Sequence, residues 1–543
     1  MKKYLFIFLC LFLGTFYIIN QQEESSIDKK ELFRTEVDKL TGAEKFALYH
    51  SSIRKSPEGS PYSYSSGYQV TEYQKLKKRL PQTSDRSVNW EERGPGNVSG
   101  RTRTVWVDPR DETGESWFVG SAQGGVWKTE DGGDSYVLKT PDVPHLGTAA
   151  IKGCKSVPTV IYAGSGEGFN FLSAAGAGIF KSIDGGETWS VLASTTNNSA
   201  FANVLRLAVD PIDPNIVFAA TRNNNSSSDV EGFVMRSKDG GETWEEILFH
   251  FDMIPDIIMS PGNSKILFAG LNQEGVLKSI DGGDNWDFVW LFESPALRPE
   301  RIELAISPSD PNHVYFTTPI DDEAFLPGDK IYVSNDGGES FQLIIGNNAK
   351  DDYSNFSGGQ SFWNKAITVD PFNPMKIYFA GQSGFLSMEV QFFGELVIGE
   401  MSVIADGYSR YDEFYETSTK GVHVDHHGIH FSVVDSASQK AIMINTNDGG
   451  VAVSRDNGAT FKQTGDTFLQ GFNPEGGNWT TVDGYNVSTF YGVDKMNGAI
   501  DMLEVPKIMA VGCHLKTLMQ HLDGRMRLVA MDSKLHGIMT MVI

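Results

Sequence analysis

Cysteine is almost absent from this chain. Only Cys10, Cys154 and Cys513 occur among 543 residues, so no disulfide framework holds the fold. Positive charge is also scarce. The 46 Lys and Arg are outnumbered by 69 Asp and Glu, for a formal net charge of −23. That balance excludes the basic face a nucleic-acid partner needs. It fits an exported protein, and it is compatible with a divalent cation on carboxylate-rich loops, although no cofactor is required. The run Tyr4–Ile19 follows Lys2 and Lys3 and ends at polar QQEESS. It has the length of a signal-peptide core and is short for a transmembrane helix. Residues 1–20 are therefore read as an export signal, with no stable membrane span after cleavage and with an uncleaved anchor as the alternative. P-loop, dinucleotide, nucleophile-elbow and His-Glu-x-x-His motifs are all missing.

Six short segments, by contrast, repeat. They read TEDGGDSY, SIDGGETW, SKDGGETW, SIDGGDNW, SNDGGESF and SRDNGATF, and begin at Thr129, Ser182, Ser237, Ser279, Ser334 and Ser454. A short alternating strand precedes each and another follows. Two strands joined by Asp-x-Gly-Gly make a hairpin, with Gly supplying the positive φ. The carboxylates of Asp131, Asp184, Asp239, Asp281, Asp336 and Asp456 are then turn staples that bond backbone N–H groups. A catalytic residue has no reason to recur six times.

Upstream of each box lie two more apolar strands, the first usually ending at Asp-Pro or Ser-Pro, as in TVWVDP and LAVDP. Four strands repeated radially make a propeller blade. The first five boxes are 42 to 55 residues apart and the next gap is 120, room for one blade without a box around Trp363–Val390. The fold class is all-β: a β-propeller of about seven four-stranded blades with a short helical N-terminal leader. Residues 21–92 read as that leader and linker, with an amphipathic helix at Lys30–Tyr49. The propeller spans 93–470, and 471–499 begins a further blade. The Met-rich residues 500–543 lack turn punctuation. An alternative codon phase restores the repeat grammar there, so this tail reads as out of frame after a one-base deletion and the protein as truncated.

The boxes resemble the Asp-box (bacterial neuraminidase repeat) of sialidase-like, sortilin-type and xyloglucanase-like propellers. GPGNVSGRTRTVWVDP and FVGSAQGGVWKTEDGG are similar to the opening of exported BNR-repeat proteins of bacteria. The resemblance covers about Asn89–Ala499. It implies a secreted or cell-surface location and a glycan or extracellular protein as partner. If the chain is an enzyme, the resemblance implies a glycosyl hydrolase. Sialidases of this type carry Arg-Ile-Pro and three Arg. SGRTRTVWV lacks the motif, and Arg101 and Arg103 are the two candidates at the channel mouth. Xyloglucanase-type enzymes place a catalytic Asp two residues before Gly-Gly. Ala122 and Asn447 stand at the corresponding places here, with Asp448 one position off.

Three further readings concern the inner strands. HVDHHGIH sets His423, Asp425 and His427 on one face of an extended strand, a set that suits a transition metal; the alternative is a hydrogen-bonded polar cluster. Glu167, in GSGEGFN, could face the channel as an acid or ligand contact. Phe169, Phe171 and Trp363 could stack on sugars, or simply pack. The functional expectation is a glycan- or protein-binding scaffold. The alternatives are a glycoside hydrolase whose carboxylates the sequence does not identify, and a non-functional fragment.

Overall fold

The computed structural model describes residues 67–79, residues 100–464 apart from 145–146, 170–174, 224–229, 293–300, 321–327, 347–355, 383 and 407–421, and the strand backbones Phe490–Lys495 and Met502–Pro506. The proposed export signal, the helix expected at Lys30–Tyr49 and most of the tail lie outside these residues.

Seven antiparallel meanders follow one another along the chain. They occupy 102–138, 148–191, 203–250, 256–291, 303–346, 366–406 and 426–463, here blades 1 to 7. Five are separate four-stranded sheets. Blades 5 and 6 merge into one eight-stranded sheet, because their outer strands Gln342–Gly346 and Leu396–Asp406 pair in parallel, with Ile344 opposite Val397. Blade 1 shows the common order. Thr102–Val107 pairs with Trp117–Ser121, which pairs with Gly125–Thr129, which pairs with Val137–Leu138. The two middle strands are buried throughout, as apolar runs covered on both faces must be.

Each blade's first strand packs beside the next one's. The strand Thr102–Val107 of blade 1 also meets His426–Asp435 of blade 7, so the first strands form a closed ring around an axis. The core divides the same way. Trp106, Phe118 and Val126 pack on Ile151, Ile161 and Phe180 between blades 1 and 2. Trp117, Val119 and Trp127 pack on Ile442, Ile444 and Val453 between blades 1 and 7. Polar contacts reinforce that last seam. Arg455 donates to the Gly132 carbonyl (3.2 Å), and Ser432 Oγ donates to the Gly114 carbonyl (2.8 Å). The ring thus closes within residues 102–463.

All six boxes share one geometry. In blade 5, Ser334 Oγ donates to Asp336 Oδ1 (2.6 Å) and accepts from Gly338 N (2.8 Å). The N–H groups of Glu339 (2.9 Å) and Ser340 (3.1 Å) also donate to Asp336 Oδ1, and Ser340 Oγ donates to Oδ2 (2.6 Å). Burial works against ionisation of Asp336, but these donors hold it at about 2. Both box glycines take positive φ, 77° and 81° at Gly337 and Gly338. Blade 6 has no box and turns instead at Gly394, φ 66°. Asp336→Ala is expected to cost about 1 kcal/mol, the net worth of an exposed hydrogen-bonded turn, and to leave ligand binding unchanged. Chemical denaturation beside a binding assay checks this; lost binding in a normally folded variant would give the box a functional role.

The helix Tyr68–Arg79 lies in the leader, where sequence periodicity did not reveal it. Only Val70 is buried, against the seam of blades 1 and 2, so its apolar face is one residue wide. Lys77, Lys78 and Arg79 in its last turn suit the helix dipole. Tyr73 Oη donates to the Asp142 carbonyl (2.8 Å). At the other end of the chain, Phe490–Lys495 pairs antiparallel with Met502–Pro506. Among the described residues no helix is long and apolar enough to cross a membrane.

Candidate functional site

Strand direction alternates within a blade, so the box turns lie at one end of the ring. The starts of the innermost strands and the turns between second and third strands lie at the other. At this second end the polar residues converge.

Arg101 and Arg103 flank the start of the innermost strand of blade 1, where the register shifts between Thr102 and Thr104. Both guanidinium groups reach Glu167. Arg101 Nη1 lies 3.4 Å and Arg103 Nε 2.8 Å from Glu167 Oε1, and Arg103 Nη2 also donates to it. Glu167 sits in the loop between Ile161–Ser165 and Ile179–Ser182. Gly166 (φ 95°) turns that loop inward, and at Gly168 a Cβ would come within 2.6 Å of Asn203 Cβ. Asp448, in the turn before Gly450–Ser454, accepts a bidentate pair from Arg101, Nε at 2.6 Å and Nη2 at 2.8 Å. His427 bridges Arg103 and Asp448. Its Nδ1 is 2.8 Å from Arg103 Nη1 and its Nε2 is 2.7 Å from Asp448 Oδ1. A guanidinium only donates, so Nδ1 accepts and the proton sits on Nε2, donated to Asp448. Burial and then Arg103 hold His427 well below the usual imidazole range.

The Trp363 ring centroid lies 4.2 Å from the Arg101 guanidinium carbon and 4.3 Å from that of Arg103. The Trp363 carbonyl accepts from Arg103 (3.0 Å) and Arg301 (2.9 Å). Behind this mouth, Phe169 is buried beneath three guanidinium groups, Arg301 at 4.1 Å, Arg206 at 5.0 Å and Arg103 at 5.5 Å from its ring centroid. Glu303 neutralises two of them, accepting from Arg206 (2.8 Å) and Arg301 Nε (2.7 Å). Asp256 lies 3.5 Å from Arg206 and accepts from Leu304 N (2.8 Å). The loop bearing Glu167 and Phe169 thus fills the axis as a plug.

The carboxylates differ in charge state. Burial raises Glu167 and Asp448, but the arginines outweigh it; Glu167 falls below the usual range and Asp448 well below it. Glu303 is likewise lowered by Arg206 and Arg301 against burial. Asp256 goes the other way: burial, then the Glu303 charge, push it up to about 7.

Four sequence candidates, Arg101, Arg103, Glu167 and Trp363, are therefore brought together. The metal-face argument needs correction. The strand begins at His426, and Asp425 before it has φ 60°, which breaks the alternation. His423 Nδ1 bonds the Val424 carbonyl (2.8 Å), Asp425 Oδ1 accepts from Asn364 (2.5 Å), and both ring nitrogens of His427 are engaged elsewhere. Among the described residues no group of three His, Cys, Asp or Glu could hold a metal ion. Phe169 is too buried to stack on a sugar, and Phe171 lies outside the described residues. Asn447, at the xyloglucanase-type position, is buried and bonded to Asn445 and Gln463. The sequence reading set Asp448 aside as one position off, and missed Arg206, Asp256, Arg301 and Glu303. Their signal was charge inside apolar innermost strands, as in LRLAV and RIELAI.

These features define a β-propeller whose axial mouth is closed by an arginine–carboxylate plug. The family model described as sortilin, neurotensin receptor 3, matches residues 232–370. A xyloglucanase of Acetivibrio thermocellus is 28% identical over 152 residues, 26% of this chain and 18% of that protein. A xyloglucanase of Paenibacillus sp. is 31% identical over 100 residues, 16% of this chain and 10% of that protein. The crystal structure of an ancestral GH74 enzyme superposes with a TM-score of 0.51 at 16% identity, covering 78% of this chain and 50% of that one. The chain is a sortilin- and xyloglucanase-like β-propeller, and its matches span less than a fifth of the length of these curated relatives.

Proposed function

We propose that this propeller is an exported binding module that recognises a glycan or an extracellular protein at the mouth formed by Arg101, Glu167, Trp363 and Asp448. One observation carries this reading: both mouth carboxylates are bonded to guanidinium groups, Asp448 by a bidentate pair from Arg101 and Glu167 by Arg103, and such partners favour the ionised form. Glycoside hydrolysis by a carboxyl pair needs one member protonated to serve the leaving group. His427, which bonds Arg103 and Asp448, is neutral and committed on both nitrogens, so it offers no spare proton. An ionised carboxylate beside a guanidinium and an aromatic ring is instead suited to hydroxyl recognition and stacking. Because the matched relatives are xyloglucanases, xyloglucan oligosaccharide is the first ligand to try.

A hydrolase is the second reading, favoured by those same relatives. Among the described residues its only raised carboxyl near the axis is Asp256, buried in the wall between blades 4 and 5. Calorimetric titration with xyloglucan oligosaccharide, run beside a reducing-end assay, separates the two. Binding without product release is expected, weakened about tenfold or more by Trp363→Ala, as loss of an aromatic anchor implies. Product release abolished by Asp448→Asn or Glu167→Gln would overturn the binding reading. We further take residues 1–20 as the export signal and 500–543 as out of frame. Resequencing that finds no missing base near codon 499 would refute the latter.

A further inference from the structure

The fusion of blades 5 and 6 creates one continuous outer surface. Their outer strands pair in parallel, Ile344 opposite Val397 and Ile345 opposite Ile398. Side chains alternate across such a sheet. Ile344 and Val397 point inward, into the core between the two blades. Leu343, Ile345 and Leu396 therefore point outward, and all three are exposed, Ile345 by 52%. Ile398 lies beside Ile345 on the same face and is half-buried. Phe393, directly opposite Leu396 across the hairpin, is exposed by 57%. These five large apolar side chains sit on three adjacent strands and form one patch. Contiguous exposed apolar surface of this kind marks an interaction site, whereas scattered single residues do not.

Carboxylates bracket the patch. Past Gln391 and Ile398 on the same face, Glu389 and Glu400 stand directly opposite each other, both exposed. Like charges so placed destabilise a sheet. Lys376 offsets one charge of that pair, with Nζ 3.8 Å from Glu389 Oε1. Glu395, exposed in the turn before Leu396, sets a third carboxylate at the other end. A cation on an incoming surface relieves this repulsion. A second copy of the chain does not, since it brings the same three carboxylates on a chain of formal charge −23. Addition of a further strand is closed off here as well, because the two outer strands already use each other's backbone groups. An occupant has to meet the side chains face-on, as the apolar stripe of an amphipathic helix does.

We propose that this outer face of blades 5 and 6 docks a cationic amphipathic helix of a partner protein, with the helix's apolar stripe on Ile345, Phe393 and Leu396 and its Lys or Arg residues on Glu389, Glu395 and Glu400. The surface is separate from the mouth and does not depend on what the mouth binds. The probe is a fluorescein-labelled peptide of about 14 residues, roughly 21 Å of helix, with Leu along one face and Lys on the other. Titrated with the full chain and followed by fluorescence anisotropy, it should bind saturably, one to one. Ile345→Ser combined with Phe393→Ser leaves the charge unchanged and should weaken binding tenfold or more. Glu400→Gln should weaken it several-fold and flatten its salt dependence. Val137→Ser, at an exposed apolar position on the outer strand of blade 1, should leave it unchanged. Matched thermal melts confirm that the variants are folded. Equal affinity in wild type and the double variant, equal binding of a Leu/Glu peptide, or no saturable binding to the folded wild type would overturn the proposal. So would sedimentation showing that the free chain self-associates and the double variant does not, because the occupant would then be a second copy.

Discussion

Glu303→Ala should destabilise the propeller by about 3–5 kcal/mol, the cost of breaking a buried ion network by removing one partner. Arg301 is buried to within 1% and loses its only carboxylate among the described residues. Arg206 keeps only Asp256, at 3.5 Å. Three guanidinium groups around Phe169 would then repel one another with less compensation. Glu303→Gln preserves an acceptor oxygen and the volume, so its cost should be smaller, though still large, because the charge is gone. The contrast is Glu130→Ala. Glu130 pairs with Lys128 from a side chain that is itself 72% exposed, and Lys128 keeps Asp108 at 3.7 Å, so the loss should cost about 0–1 kcal/mol. Urea denaturation of the three variants measures the difference. A Glu303→Ala cost near that of Glu130→Ala would mean that the plug arginines are solvated, and that the axis is open to water at that depth.

The blades were legible because repetition is a sequence signal. Apolar four-residue runs, Asp-Pro turns and Asp-x-Gly-Gly hairpins are local features, and each recurred often enough to fix the strand order. Even the blade without a box, expected around Trp363–Val390, fell in that gap and runs 366–406, since Ala366–Val369 and Lys376–Ala380 are still short apolar strands joined across an Asp-Pro turn. Its fusion to blade 5 was not legible. Parallel pairing of two outer strands depends on the length of Leu396–Asp406 reaching Gln342–Gly346 across a turn of the ring. The mouth was legible only in part. Arg101, Arg103 and Glu167 stood out as charges beside glycine-rich turns. Their partners come from up to 347 residues away, as Asp448 does from Arg101. No spacing rule predicts which charges a closed ring brings face to face. The metal-face argument failed for a local reason: strand periodicity was extended three residues too far, through a left-handed Asp425 to His423.

Asp256 makes the second large prediction, and it concerns pH. Burial first, then the Glu303 charge, raise its carboxyl to about 7, while Arg206 and Arg301 pull the other way. Lys152 also faces it at longer range. The unfolded chain returns Asp256 to about 3.9. Between these two values the folded state holds a proton that the unfolded state has released. Stability from this group is therefore fully present below about 4, and is lost as pH rises to about 7. The gap corresponds to roughly 4 kcal/mol at 1.36 kcal/mol for each tenfold change. Glu303, Glu167 and Asp448 have lowered values, so their contributions run in the opposite direction and fall away only under acid. A wild-type profile alone would mix the two. Asp256→Asn isolates one of them, since the amide oxygen can still accept from Leu304 N and carries no charge to bury. Measured by denaturant unfolding at pH 4 through 8, the stability of wild type minus that of Asp256→Asn should fall by several kcal/mol and then level off above about 7. A flat difference would mean that Arg206 keeps Asp256 ionised throughout. The plug would then be a fully charged network at every pH where the protein is folded.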